Sequence, residues 1–181
     1  MAKPLFINDL PDYAQNVWTK EGFEAATDIQ EQAFGKIMDG MNLIAQSPTG
    51  TGKTLAYLLP LITKVDSGQV HPQAVILASS RELVMQIHQE IIKWTTGSEI
   101  RSAAFIGGAN IKRQLEKLKK KPHIIVGTPG KIEELIQQKK LKMHEVKTLV
   151  LDEGDTLIVP EHIQTVADII KSTMKDRQIL V

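Results

Sequence analysis

No cysteine occurs among the 181 residues. That excludes disulfide staples and thiolate metal sites, and a reducing cytoplasm is the compartment that fits. No apolar run approaches the roughly 18 residues needed to cross a bilayer. Met1 to Leu10 has neither the basic start nor the long apolar stretch of a secretion signal. His71, His88, His123, His144 and His162 fall at no spacing that would ligate a metal. Internal repeats and low-complexity tracts are also missing. What remains is a chain of single-domain length, long enough to bury its own core, and expected to be cytoplasmic with no membrane contact.

Charge is nearly balanced at +1, but unevenly placed. Residues 1–90 carry 6 basic and 10 acidic side chains, and residues 91–181 carry 16 and 11. The basic excess is densest at Lys112, Arg113, Lys117, Lys119, Lys120 and Lys121. Such a cluster can approach a phosphate backbone, but a lysine-rich helix face is more often simply solvated, and a solvated face is the expectation for it.

The densest chemical signal is Ser47-Pro48-Thr49-Gly50-Thr51-Gly52-Lys53-Thr54, which follows a short apolar run and opens a helical pattern. Glycines at 50 and 52 let backbone wrap an anion, and the helix start supplies free N–H donors. Lys53 can reach β and γ phosphates, and the Thr54 hydroxyl is placed for Mg²⁺. Ser47 stands where the strict phosphate-loop pattern has glycine. About a hundred residues later, Thr148-Leu149-Val150-Leu151-Asp152-Glu153 is an apolar β-type run ending in two carboxylates. A buried parallel strand delivers such acids to its C-terminal edge, where open sheets bind ligands. There one carboxylate can hold the metal and the other can orient or deprotonate a water. A glycine-rich turn and a pair of helix-capping acids are the plainer readings of the two segments.

Strand-like runs at Asn42 to Ser47, Ala74 to Ser79, Ala103 to Gly107, His123 to Thr128, Thr148 to Asp152 and Gln178 to Val181 alternate with helices expected to start near Lys53, Arg81, Asn110, Lys131 and Glu161. The alternation predicts an α/β domain with a mainly parallel sheet flanked by helices on both faces. Residues 1–39 form an N-terminal helical flank, and 40–181 the sheet-bearing part.

Further segments carry a family likeness. Gly22-Phe23-Glu24-Ala25-Ala26-Thr27-Asp28-Ile29-Gln30 resembles the Q motif of DEAD-box RNA helicases, with Phe6 near the family's upstream aromatic and Ala26 in place of its proline. A glutamine amide can satisfy the N6 donor and N7 acceptor of adenine, which guanine cannot match, and Phe6 can offer a stacking face. Ser79-Ser80-Arg81-Glu82-Leu83 is similar to motif Ia, Gly107-Gly108 to the GG motif, and Thr128-Pro129-Gly130-Lys131 to motif Ib with lysine for arginine. Asp152-Glu153-Gly154-Asp155 is similar to the eponymous motif, with glycine for alanine.

The resemblance spans nearly the whole chain and implies the N-terminal RecA-like P-loop domain of a bacterial-type ATP-dependent RNA helicase. By that resemblance Phe6, Phe23, Thr27, Gln30 and residues 47–54 bind ATP. Thr54 and Asp152 hold Mg²⁺, Glu153 activates water, and Asp155 communicates with a Ser-Ala-Thr motif. Ser80, Arg81, Gly107, Gly108, Thr128, Pro129, Gly130 and Lys131 line an RNA path through sequence-independent backbone contacts. It further implies that the chain continues past Val181 into that Ser-Ala-Thr motif and a second RecA-like domain, a partner whose arginines complete the ATP site. Gly154 is expected to be tolerated, being as small as the residue it replaces. Another P-loop enzyme, such as a kinase or GTPase, and a non-catalytic RNA-binding scaffold are the alternatives.

Overall fold

The structure, a computed structural model, describes residues 6–48, 50 and 52–181. Of the expected site residues, Thr49 and Thr51 lie outside the described residues. The chain runs α1 (Asp12–Glu21), α2 (Asp28–Met38), α3 (Lys53–Lys64), β1 (Ala74–Leu77), α4 (Arg81–Trp94), β2 (Ser102–Phe105), α5 (Ile111–Lys119), β3 (Ile124–Gly127), α6 (Pro129–Gln137), β4 (Thr148–Leu151), α7 (Ile163–Ser172) and β5 (Gln178–Leu180). Short 3₁₀ turns cover Ile7–Asp9 and Gly154–Thr156. No helix among the described residues is long and apolar enough to cross a membrane.

Strands form where short, largely β-branched apolar runs occur, and helices start at residues able to cap them. Thr27 and Gln30 make a reciprocal capping box on α2, Ser80 caps α4, Asn110 caps α5, and Pro129 occupies the first turn of α6. The strand order is β2-β3-β1-β4-β5, with every pairing parallel. Successive strand residues face opposite layers. Ala74, Ile76, Ala104, Ile124, Val126, Val150 and Leu180 join the core under α1 to α4, while Val75, Leu77, Ala103, Phe105, Ile125, Leu149 and Leu151 join the core under α6 and α7. This is the expected two-layer covering of a parallel sheet. The N-terminal flank belongs to the first of these cores, through Phe6, Trp18 and Phe34.

The expected strand at Asn42 to Ser47 is reduced to an isolated parallel bridge between Leu43 and Leu180. Leu43 and Ala45 donate to the carbonyls of Ile179 and Val181 at 3.0 and 2.9 Å. Side chains interrupt the ladder before it can lengthen. Asn42 Oδ1 takes the Ile179 N–H at 2.8 Å, and Gln178 Nε2 takes the Met41 carbonyl at 2.7 Å. Helix α6 also begins two residues earlier than Lys131, because Thr128-Pro129 supplies the start. Helix α7 begins at Ile163, after a turn that occupies the expected start near Glu161.

Parallel pairing sends every strand's C-terminal end to the same edge. The residues that follow the ladder at that edge are those singled out from the sequence: Ser80 after β1, Gly107 and Gly108 after β2, Thr128 after β3, and Asp152 after β4. The phosphate loop follows the segment bridged to β5.

Candidate functional site

Two loops and one helix start converge at this edge. Gly52 is the N-cap of α3 with φ +82°, a left-handed conformation that favours glycine. A Cβ there would stand 2.4 Å from Gln30 Nε2 and 3.2 Å from Thr27 Oγ1. Gln30 is buried, and its amide is oriented by its partners: Oε1 accepts from Thr27 N at 3.0 Å, and Nε2 donates to the Gly52 carbonyl at 3.2 Å. Gln30 thereby ties the Q-motif turn to the phosphate loop. Each amide atom keeps a second hydrogen-bonding valence.

A cavity of about 500 Å³ opens beside this junction, bounded by Ser47, Pro48, Lys53, Tyr57, Asp152, Glu153, Gly154 and Asp155, with an apolar flank from α2 and residues 43–45. Lys53 and Tyr57 are one helical turn apart on α3, so both face it. Tyr57 Oη donates to Asp152 Oδ2 at 2.6 Å. Burial pushes the Asp152 carboxyl up from its ordinary value, opposed by the Tyr57 bond, the Glu153 backbone and the positive charge of Lys53. Burial, and then the charge of Asp152, push the Tyr57 phenol well above its ordinary value, so it remains a donor. Tyr57 was not expected from the sequence. It sits inside the apolar run Leu55 to Ile62, and the one available signal was its spacing of four from Lys53.

Glu153 is exposed, with φ 50° and ψ 55°. Lys121 and Lys139 are the other described non-glycine residues at positive φ, and each directly follows a helix C-cap. Glu153 instead leaves a strand, its carbonyl held by Thr156 N at 2.8 Å and Thr156 Oγ1 at 2.6 Å. Held strain of this kind costs roughly 1–3 kcal/mol and concentrates at functional sites.

The edge after β1, β2 and β3 brings together most of the remaining expected residues. Ser80 Oγ accepts from Leu83 N at 3.1 Å, and Arg81 begins α4 beside it. A Cβ at Gly108, whose φ is +77°, would stand 3.7 Å from Arg81 Nη1, so the guanidinium lies over that glycine. Among the described residues, nothing stands within 4 Å of where a side chain would begin at Gly107 or Gly130, and Thr128 and Pro129 start α6.

Five further expected residues have more enclosed or differently directed surroundings. Lys131 is not an exposed cation: it is buried at 8 %, and Nζ is paired with Glu134 Oε2 at 3.2 Å, one turn along α6. Phe6 offers no open stacking face. It is 4 % exposed, with its ring stacked on Phe34 at 4.6 Å and edge-on to Trp18. Phe23, 42 % exposed, is stacked on Trp94. Thr54 borders a shallow depression against Leu83, Gln86 and Glu90 of α4, and not the cavity that holds Lys53, because adjacent helix residues point about 100° apart. Gly154 is closely packed, since a Cβ there would meet Val181 Cγ1 at 2.4 Å.

No group of three or more His, Asp or Glu among the described residues is placed to hold a metal. The donor set fits a Mg²⁺ carried in with phosphates, which uses one or two carboxylates and its own waters, and Asp152 beside Lys53 is such a carboxylate.

Fold and site together define a RecA-like P-loop domain. The family model described as DEAD/DEAH box helicase matches residues 27–181. The chain belongs to that family. It is similar to the probable ATP-dependent RNA helicase YfmL of Bacillus subtilis, at 61% identity over 97% of this chain and 46% of that protein. It is also similar to the DEAD-box ATP-dependent RNA helicase CshC of Bacillus cereus, at 57% identity over 96% of this chain and 45% of that one. Among solved structures, a DEAD box protein from the hyperthermophile Methanococcus jannaschii superposes with a TM-score of 0.89 at 35% identity, covering 94% of this chain and 47% of the other. Dbp5 of S. cerevisiae, solved bound to Nup159, Gle1, IP6 and ADP, gives 0.86 at 29% identity, covering 94% and 45%. The chain spans less than half the length of the relatives it matches.

Proposed function

We propose that this domain is the ATP-binding half of an ATP-dependent RNA helicase that couples ATP binding and hydrolysis to local RNA strand separation. The observation that carries the reading is the convergence at one sheet edge of Lys53, Asp152 and the strained Glu153 around one cavity, with Gln30 locked to the loop that borders it. In this reading Gln30 reads adenine through its spare valences, and the backbone from Ser47 to Gly52 and Lys53 hold the phosphates. Asp152 holds Mg²⁺, which when bound would neutralise charge developing on the phosphates. Thr54 reaches that ion only in a loop wrapped around phosphate.

Glu153, free in the open cleft, orients or deprotonates the attacking water, and Asp155 couples the site to a second RecA-like domain of the same chain. Ser80, Arg81, Gly107, Gly108, Thr128, Pro129 and Gly130 track an RNA backbone without reading bases. We place its work in the cytoplasm, on RNA and away from membranes. The test is RNA-stimulated ATP hydrolysis by the full-length protein: Glu153→Gln is expected to retain ATP binding and lose turnover. Stimulation by RNA that survives Glu153→Gln would overturn the assignment.

A further inference from the structure

We infer that Tyr57 is a positioning residue for the metal-binding carboxylate: its hydroxyl holds one oxygen of Asp152 so that the carboxylate meets the cation in a fixed orientation. This rests on the proposed nucleotide function. A buried phenol needs a hydrogen-bond partner, and phenylalanine would fill the same volume without one. Tyr57 is 8 % exposed, and the only partner its hydroxyl has among the described residues is Asp152 Oδ2, at 2.6 Å.

Three features make this more than a core contact. The bond spans 95 residues of sequence and joins the helix of the phosphate loop to the end of β4, the two elements whose separation sets the width of the cavity. Tyr57 and Lys53 share one face of α3, so the same helix that presents the phosphate cation also presents the donor. Finally, a phenol holds the carboxylate without competing for the metal. A lysine at this place would neutralise Asp152, and an amide could turn its carbonyl toward the ion. Tyr57 offers a neutral O–H donor that satisfies one lone pair and leaves the others open. Such support around a ligating carboxylate typically changes metal affinity about 10- to 100-fold when removed.

The experiment titrates Mg²⁺ into this chain with ATP and follows binding by calorimetry, alongside an EDTA series, for wild type and Tyr57→Phe. The Mg²⁺ concentration at half-maximal tightening of ATP binding is expected to rise roughly tenfold in Tyr57→Phe. Affinity in EDTA should stay within about twofold, since no ligating role is lost there. In an Asp152→Asn background, Tyr57→Phe should produce no further shift in the Mg²⁺ midpoint. An unchanged midpoint, or an equal loss of affinity with and without Mg²⁺, would overturn the inference. Wild-type binding that is indifferent to Mg²⁺ would instead overturn the metal-nucleotide reading on which it rests.

Discussion

Gly50 and Gly52 have the same backbone conformation, φ +83° and +82°, in different surroundings. Among the described residues, nothing stands within 4 Å of where a Cβ would be at Gly50, whereas at Gly52 it would meet Gln30 Nε2 at 2.4 Å and Thr27 Oγ1 at 3.2 Å. Alanine at either position bears the left-handed penalty of roughly 1–2 kcal/mol. At Gly52 it must also displace Gln30, breaking the 3.2 Å bond to the Gly52 carbonyl and straining the reciprocal bond to Thr27, together about 1–2 kcal/mol more. In a domain of this size that difference lowers the melting temperature of Gly52→Ala below that of Gly50→Ala by about 2–8 °C. Thermal unfolding of the two variants measures it directly. In a Gln30→Ala background the clash is gone, and the two substitutions should cost nearly the same. Equal melting temperatures in the Gln30 background would refute the claim that the Q-motif turn and the phosphate loop are locked together.

Two further outcomes follow from the surroundings of Lys131 and Glu133. Because Lys131 is paired with Glu134 and buried, Lys131→Ala should cost about 1 kcal/mol of stability and leave the salt dependence of RNA binding unchanged, whereas Arg81→Ala should flatten the log–log salt slope by about one unit. A salt series on single-stranded RNA with both variants decides between them, and a slope change for Lys131→Ala alone would return that lysine to the RNA path. Between α6 and α7, burial and then the negative charge of Asp168 raise the Glu133 carboxyl above its ordinary value. A raised acid favours the fold in its protonated form, so that contribution is present below the ordinary carboxylate range and is lost as pH rises through the raised value. Glu133→Gln should therefore gain about 0.5 kcal/mol at pH 7 and nothing near pH 4, read from urea midpoints, and a gain independent of pH would contradict the pairing.

Much of the architecture was legible because buried parallel strands must be apolar runs, and the runs at Ala74, Ala103, His123, Thr148 and Gln178 have no other use. The segment at Asn42 failed as a strand for a reason invisible to periodicity, since two amide side chains take the places where its ladder bonds would begin. At the candidate site, the convergence of Lys53, Asp152 and Glu153 on one cavity and the place of Gln30 against the neighbouring loop were legible in motif spacing. Lys131 and Phe6 could not be placed that way: a lysine after Thr-Pro-Gly looks solvent-facing until Glu134 is seen one turn on, and an aromatic looks available until Phe34 is seen against it. Tyr57 was hidden by its apolar neighbours. The close approach of Val181 to Gly154 has no mark in the sequence.

The central claim is that this edge binds an adenine nucleotide through Gln30 and Lys53. Calorimetric titration of this chain with ATP and with GTP, both with Mg²⁺, tests it most directly. ATP should bind more tightly, with Lys53→Ala losing most of the affinity and Gln30→Ala most of the preference. Equal affinities for ATP and GTP in the wild-type chain would contradict the account.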